Sequence, residues 1–289
     1  MFRPDLLAGK RILVTGGGTG LGRSMARRFG ELGASLVLAG RRRDVLEDTA
    51  RDIADATGAE VATQSFDVRD PEAVEAAMQR VFDAGPLDVL VNNAAANFIA
   101  RTETLSHRAA DAVLNITLHG PLYCTMAAGR RWLANGAWTP ERPMRCVLNI
   151  LATYAWHGSA YVVPSAMAKA GVHAMMQSLA VEWGPRGVRF AGIAPGPFPT
   201  KGAWDRLLPR PEMASTYETR GPLKRPGRHG ELANLAAYLL SDEAAYVNGD
   251  CVTIDGGRWL KGAGNFSFLE DLSEEEWSGV RERGRRVSA

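Results

Sequence analysis

Cysteine is scarce: Cys124, Cys146 and Cys251 are the whole complement of a 289-residue chain. An odd number with no C-x-x-C pair argues against a disulfide framework or a thiolate metal centre, and the apolar neighbourhoods predict buried free thiols. Net charge is also small, formally +2, and the basic cluster at Arg41, Arg42 and Arg43 is too short to form a nucleic-acid surface. No window reaches the about 18 unbroken apolar residues of a membrane span. The opening "MFRPDLLAGKRILVTGG" has no apolar core ahead of a small-residue cleavage site. Internal repeats and low-complexity segments are missing too. Together these absences predict a soluble cytoplasmic protein with no resident metal and with neither nucleic acid nor membrane as a partner.

What is present is an alternating rhythm. Short aliphatic runs, "RILVT" (11–15), "SLVLA" (35–39), "EVATQSF" (60–66), "DVLV" (88–91), "RCVLNIL" (145–151), "VRFAGIA" (188–194) and "CVTID" (251–255), are separated by helix-period segments. The helical patterns fall at 20–32, 43–56, 71–83, 108–134, 164–183 and 230–240. Strand and helix in alternation predict an α/β fold: a doubly wound, mostly parallel seven-stranded sheet with helices on both faces, in one domain over 1–289. The Pro- and Gly-dense stretch 195–227 breaks the rhythm and reads as a substrate lid. A tail follows at 258–289, where Ser273 and Glu276 are spaced as a capping box.

"VTGGGTGLGRSMA" joins the first strand to the first helix. Thr15, Gly16, Gly18, Thr19, Gly20, Leu21 and Gly22 are the expected dinucleotide turn, where glycines admit the backbone to a pyrophosphate lying on a helix N-terminus. At the end of the second strand, where a carboxylate would bind the ribose hydroxyls of NAD, the chain reads "LAGRRRD". Arg41 there favours a 2′-phosphate, and hence NADPH. Asp67, after the third strand, suits either the adenine amine or the cap of the next helix.

With this turn, "VNNAA" (91–95) and Lys169 in its helix, the sequence resembles the short-chain dehydrogenase/reductase family over essentially its whole length. In that family a tyrosine four before the lysine donates a proton to a carbonyl. Here that position is Ser165, the family's serine position is Ala152, and its helix asparagine falls on Thr117. The same departures characterise the mitochondrial-type 2,4-dienoyl-CoA reductases. The similarity extends to "NNAAANFI" (92–99), "GSAYVVPSAMAKAGV" (158–172), "LAVEWGPRGVRF" (179–190) and "APGPFPTKGAWDRL" (194–207). The resemblance implies NADPH-dependent reduction of 2,4-dienoyl-CoA to 3-enoyl-CoA in auxiliary fatty-acid β-oxidation, by a homotetramer. It implies a catalytic set of Tyr154, Asn97, Ser165 and Lys169. It adds Val68, Asn93, Lys169, Pro195 and Gly196 to the expected NADPH contacts.

The relocated acid suits the chemistry. Hydride addition at the far end of a conjugated dienoyl thioester puts the charge on the thioester oxygen, several bonds away, so donors are needed at a distance from the nicotinamide. Serine is a poor acid beside a phenol with an ordinary pKa near 10. Two other functions stay open on the sequence: a ketoreductase that recruits Tyr154 or Tyr161, and a non-catalytic NADPH-binding protein. At single residues, Tyr154 fits an aromatic core beside Trp156, Asn97 a helix cap near Thr102, and His157 a structural place. Lys201, Arg206, Lys224, Arg225, Arg258 and Lys261 could meet CoA phosphates or remain solvated, and none is assigned.

Overall fold

The computed structural model describes residues 2–134, 138–139, 141–200 and 219–287. Its frame is one parallel sheet of seven strands in the order β3-β2-β1-β4-β5-β6-β7. The strands are β1 (Arg11–Thr15), β2 (Ser35–Gly40), β3 (Val61–Ser65), β4 (Val89–Asn92), β5 (Arg145–Ile150), β6 (Val188–Pro195) and β7 (Asp250–Ile254). Every expected strand is there, with no end moved by more than one residue. A parallel strand covered on both faces carries apolar side chains in both directions. Thus Ile12 and Val14 face one core while Leu13 faces the other, and β4 repeats this with Val89 and Val91 against Leu90.

Helices α1 (Gly20–Glu31) and α2 (Arg43–Thr57) cover the first face together with α8 (His229–Leu240), through Met25, Phe29, Ile53 and Leu239. On the second face lie α3 (Pro71–Asp83), α5 (Gly120–Leu133) and α7 (Val163–Trp183), which bury Met78, Cys124 and Met176. Asp70 caps α3 by accepting from Glu72 N–H and Ala73 N–H, with Pro71 at the first helical position. Gly58, at φ 71°, ends α2 in a left-handed turn. Cys124 and Cys146 are buried and Cys251 half-buried. Burial pushes the Cys124 thiol up to about 12, and burial with the nearby Asp250 charge does the same to Cys251, which makes both inert.

The segment expected as one helix over 108–134 is three pieces: α4 (His107–Leu114), a π-helical turn at Asn115–His119, and α5. Pro121 supplies the reason. It has no N–H to give the Thr117 carbonyl and its ring crowds that carbonyl, so the backbone widens before it, with Gly120 N–H reaching back to Asn115 O.

Past β7 the chain forms α9 (Arg258–Ala263) and α10 (Glu274–Val287). The capping box is formed: Ser273 N–H donates to Glu276 Oε2 at 2.7 Å, and Glu276 N–H to Ser273 Oγ at 3.3 Å. Residues 201–218 of the expected lid, with Lys201 and Arg206, lie outside the described residues. The shoulders of that stretch meet, since Gly227 N–H donates to Pro197 O at 2.9 Å and the Phe198 ring packs against Gly227. His229 then ties this base to the first helix, bonding Pro199 O at 2.7 Å and Ser24 Oγ at 2.8 Å.

Candidate active site

The strand order reverses between β1 and β4, and the crevice beyond the C-terminal ends of these strands is where an open α/β sheet takes its ligand. Thr15 ends β1 and organises this point. Its hydroxyl donates to Val91 O at 3.1 Å and accepts from Asn93 N–H at 3.0 Å and Ala94 N–H at 3.1 Å. The Asn93 side-chain amide donates back to Thr15 O at 2.8 Å. Thr15 and Asn93 thus lock the glycine turn to the end of β4.

Gly16 (φ 65°) and Gly20 (φ 55°) adopt backbone conformations open to glycine. Gly22 answers a different need: a Cβ there would stand 2.3 Å from Gly16 O and 2.6 Å from Asn93 Nδ2. The turn leaves α1 open at its start, where Thr19 makes no side-chain cap and the first turn has no acidic residue. Unshared N–H groups at an uncapped positive helix end fit a pyrophosphate. The residues present therefore fit a nicotinamide dinucleotide.

Arg41 is exposed just past β2, and its carbonyl accepts from Ser65 Oγ at 3.1 Å. Asp67 does not cap α3, since Asp70 does. Its carboxylate instead takes a fork of bonds from Arg69, at 2.6 to 3.0 Å. Burial raises its pKa, but the Arg69 hydrogen bonds and the charges of Arg69 and Arg41 outweigh this and hold it below the ordinary carboxylate value. Val68 is buried, and Gly120 is the residue that makes room for it, since a Cβ there would lie 2.8 Å from its side chain. Pro195 ends β6 beside Ile254, and Gly196 N–H donates to Ile254 O at 2.9 Å.

Lys169 and Ser165 are both buried, one turn apart on α7. Lys169 Nζ donates to Ile150 O, at the end of β5, at 2.5 Å. Burial lowers its pKa from 10.5 to about 8. The Tyr154 hydroxyl shares a 3.1 Å hydrogen bond with Ser165 Oγ. Tyr154 begins the one-turn helix α6 (Tyr154–His157). His157 has the structural place expected of it: it stacks on Trp259 of α9 at 6.2 Å and 10°, while Trp156 meets the same indole edge-on. Tyr161 is 60% exposed at φ 66°, and its carbonyl accepts from Ala100 N–H at 3.0 Å, joining the two loops of the site.

Asn97 caps no helix. Arg101 precedes the 3₁₀ turn at Thr102–Thr104, and Ser106 caps α4. The Asn97 side chain is half-buried and makes no side-chain hydrogen bond among the described residues. The loop that carries it is held by Thr117, whose hydroxyl accepts from Ala96 N–H at 3.0 Å and donates to Ala96 O at 3.1 Å. The sequence marked Thr117 only as a departure from a pattern. The available signal was Pro121, four residues on, since a proline inside a helical pattern marks an irregularity before it. Of the basic residues left unassigned, Lys224 and Lys261 share Glu270, and Arg225 pairs with Glu231. A separate cavity of about 270 Å3, lined by Trp132, Trp138 and Arg145 among others, lies beside the starts of β5 and β6, at the other end of the sheet from these side chains.

Comparison with known proteins agrees with this geometry. A family model described as Enoyl-(Acyl carrier protein) reductase matches residues 16–258. A Bacillus subtilis (strain 168) protein named Probable 2,4-dienoyl-CoA reductase, (2E)-enoyl-CoA-producing, is 42% identical over 87% of this chain and 97% of its own. A Caenorhabditis elegans protein named Probable 2,4-dienoyl-CoA reductase 3, (3E)-enoyl-CoA-producing, is 40% identical over 99% of this chain and 93% of its own. Among solved structures, a short chain dehydrogenase from Bacillus anthracis superposes with a TM-score of 0.76 at 40% identity, covering 86% of this chain and 96% of its own. A gluconate 5-dehydrogenase from Burkholderia cenocepacia, in complex with NADP and tartrate, gives 0.80 at 28% identity, covering 89% and 98%.

Proposed function

The chain belongs to the short-chain dehydrogenase/reductase family, in its 2,4-dienoyl-CoA reductase branch, and from that premise we propose that it reduces a 2,4-dienoyl-CoA thioester with NADPH to a 3-enoyl-CoA. The observation that carries this reading is the 3.1 Å bond between Tyr154 and Ser165, which puts a phenol from a neighbouring loop beside the position where the wider family keeps its own.

Binding comes first. The turn from Gly16 to Gly22 and the open start of α1 hold the pyrophosphate, and Arg41 takes the 2′-phosphate. NADPH held by these residues would supply a hydride to C5 of the diene. Charge then develops on the thioester oxygen, where Tyr154 O–H and the Asn97 amide donate hydrogen bonds. Lys169 orients the nicotinamide ribose, and its positive charge stabilises the negative charge that develops on the dienolate. Ser165 holds the phenol and the nicotinamide region together. The dienolate can take a proton at C2, giving a 3-enoyl product, or at C4, giving a 2-enoyl product. A proton from Tyr154, which sits at the oxygen, reaches the adjacent C2. Assembly as a homotetramer belongs to the same reading and rests on the family resemblance alone.

The two relatives' names divide on this very product, so the test is the position of the new hydrogen. With 2,4-hexadienoyl-CoA and NADPH in D2O, deuterium is expected at C2 of a 3-hexenoyl thioester, read by NMR. Tyr154→Phe should cut turnover by about 100-fold or more, and Ser165→Ala by less. Deuterium at C4, or a fully active Tyr154→Phe, would refute the placement of the acid.

A further inference from the structure

Asn97 is the one expected catalytic residue whose side chain makes no hydrogen bond among the described residues, although an oxyanion donor must be aimed before charge appears. Its orientation has to come from its backbone. That backbone is fastened on both sides of a short span: Thr15 holds Asn93 and Ala94, and Thr117 holds Ala96. Ala100, beyond it, is tied to Tyr161.

Thr117 is an unusual anchor. A threonine inside a helix ordinarily turns its hydroxyl onto a carbonyl three or four residues back. Thr117 sits in the π-helical turn, is 1% exposed, and spends both hydrogen-bonding capacities on Ala96, 21 residues away. A hydroxyl that accepts from N–H and donates to C=O of one residue fixes that residue's peptide planes on either side. The second of these planes leads directly into Asn97. The turn that presents Thr117 is forced by Pro121, so helix irregularity, hydroxyl and loop form one device.

We infer that Thr117 is the positioning residue for the Asn97 amide: the π turn exists to hold Ala96 at two points and so aim Asn97 at the thioester oxygen. The inference rests on the reading of Asn97 as an oxyanion donor. Thr117 touches neither substrate nor cofactor in this account, and it acts only through the loop.

The test uses Thr117→Val, which keeps shape and removes the hydroxyl, with Thr117→Ser as the rescue. Amide hydrogen exchange, followed by mass spectrometry on the full-length protein, should speed up in peptides covering 94–99 by about tenfold in Thr117→Val, the scale of one lost hydrogen bond. It should return toward wild type in Thr117→Ser. On 2,4-hexadienoyl-CoA, Thr117→Val should lower kcat by about 10- to 100-fold, since small misplacements cost that much, with NADPH affinity retained. In an Asn97→Ala background the same change should cost nothing further, because the group it aims is gone. Unchanged exchange at 94–99 in a folded Thr117→Val overturns the inference, as does a full additional loss in the Asn97→Ala background. If the wild-type protein fails to turn over any dienoyl thioester, the proposed function falls, while the exchange result still decides whether Thr117 sets the loop.

Discussion

Keeping an ammonium group out of water costs free energy that only function repays. Lys169 is 7% exposed, and burial displaces its pKa from 10.5 to about 8. That displacement amounts to about 3 kcal/mol against the charged form. Between these two values the unfolded chain binds more protons than the native one, so stability rises with pH from about 8 to 10.5, and below 8 the full penalty applies. Lys169→Met removes the penalty and forfeits one hydrogen bond to Ile150 O, worth about 1 kcal/mol. At pH 7 the variant should be more stable by about 2 kcal/mol in urea unfolding, an advantage that shrinks as the pH approaches 10. Its activity should be nearly lost. In the wild-type protein kcat/KM should fall above about pH 8 as Lys169 gives up its charge. A kcat/KM flat to pH 10, or a less stable Lys169→Met, would contradict this account.

Elements were legible in the sequence to the degree that their cause was local. The inner strands announced themselves because each is a largely apolar run covered on both faces, the edge strands β3 and β7 by their place in the alternation, and α3 through Asp70 and Pro71. The break at Asn115–His119 was not seen because helix-period apolar residues continue across it, while its cause, Pro121, acts on a carbonyl four residues earlier. Tyr154, Ser165 and Lys169 could be named by resemblance, but the bond from Tyr154 to Ser165 spans two elements and no local pattern encodes it. The Arg69 fork on Asp67 is local, but spacing alone does not choose between a cap and an ion pair. The glycine turn gives the prediction at this scale. Gly22→Ala drives a methyl into the Gly16 carbonyl, which is backbone and cannot yield, and should cost about 3 kcal/mol with loss of nucleotide binding by fluorescence titration. Gly230→Ala, early in α8 with nothing within 4 Å, should be neutral or stabilise by about 0.5 kcal/mol. Equal effects at the two sites would refute the steric argument.

Across the whole molecule, ligand binding is read out as global stability, because the crevice lies where β1 and β4 meet between the two cores. NADPH at 100 times its Kd should stabilise the protein by about 2.7 kcal/mol, raising Tm by about 5 °C or more, with NADH well behind. Arg41→Ala should abolish that difference by lowering the NADPH shift to the NADH shift. An unchanged preference would remove Arg41 from the 2′-phosphate site. At this scale the doubly wound sheet was readable, since alternation of strand and helix leaves few topologies. The meeting of the two ends of the 195–227 stretch through Pro197, Gly227 and His229 was not, because it depends on residues 30 apart meeting in space. The contact between Tyr154 and Ser165 also limits what position 165 can hold. A tyrosine introduced there, at a site 1% exposed, would push a ring toward the place where the Tyr154 hydroxyl lies 3.1 Å from Ser165 Oγ. Ser165→Tyr alone is therefore expected to crowd two phenols together and lower stability, and pairing it with Tyr154→Ala is expected to restore room for one.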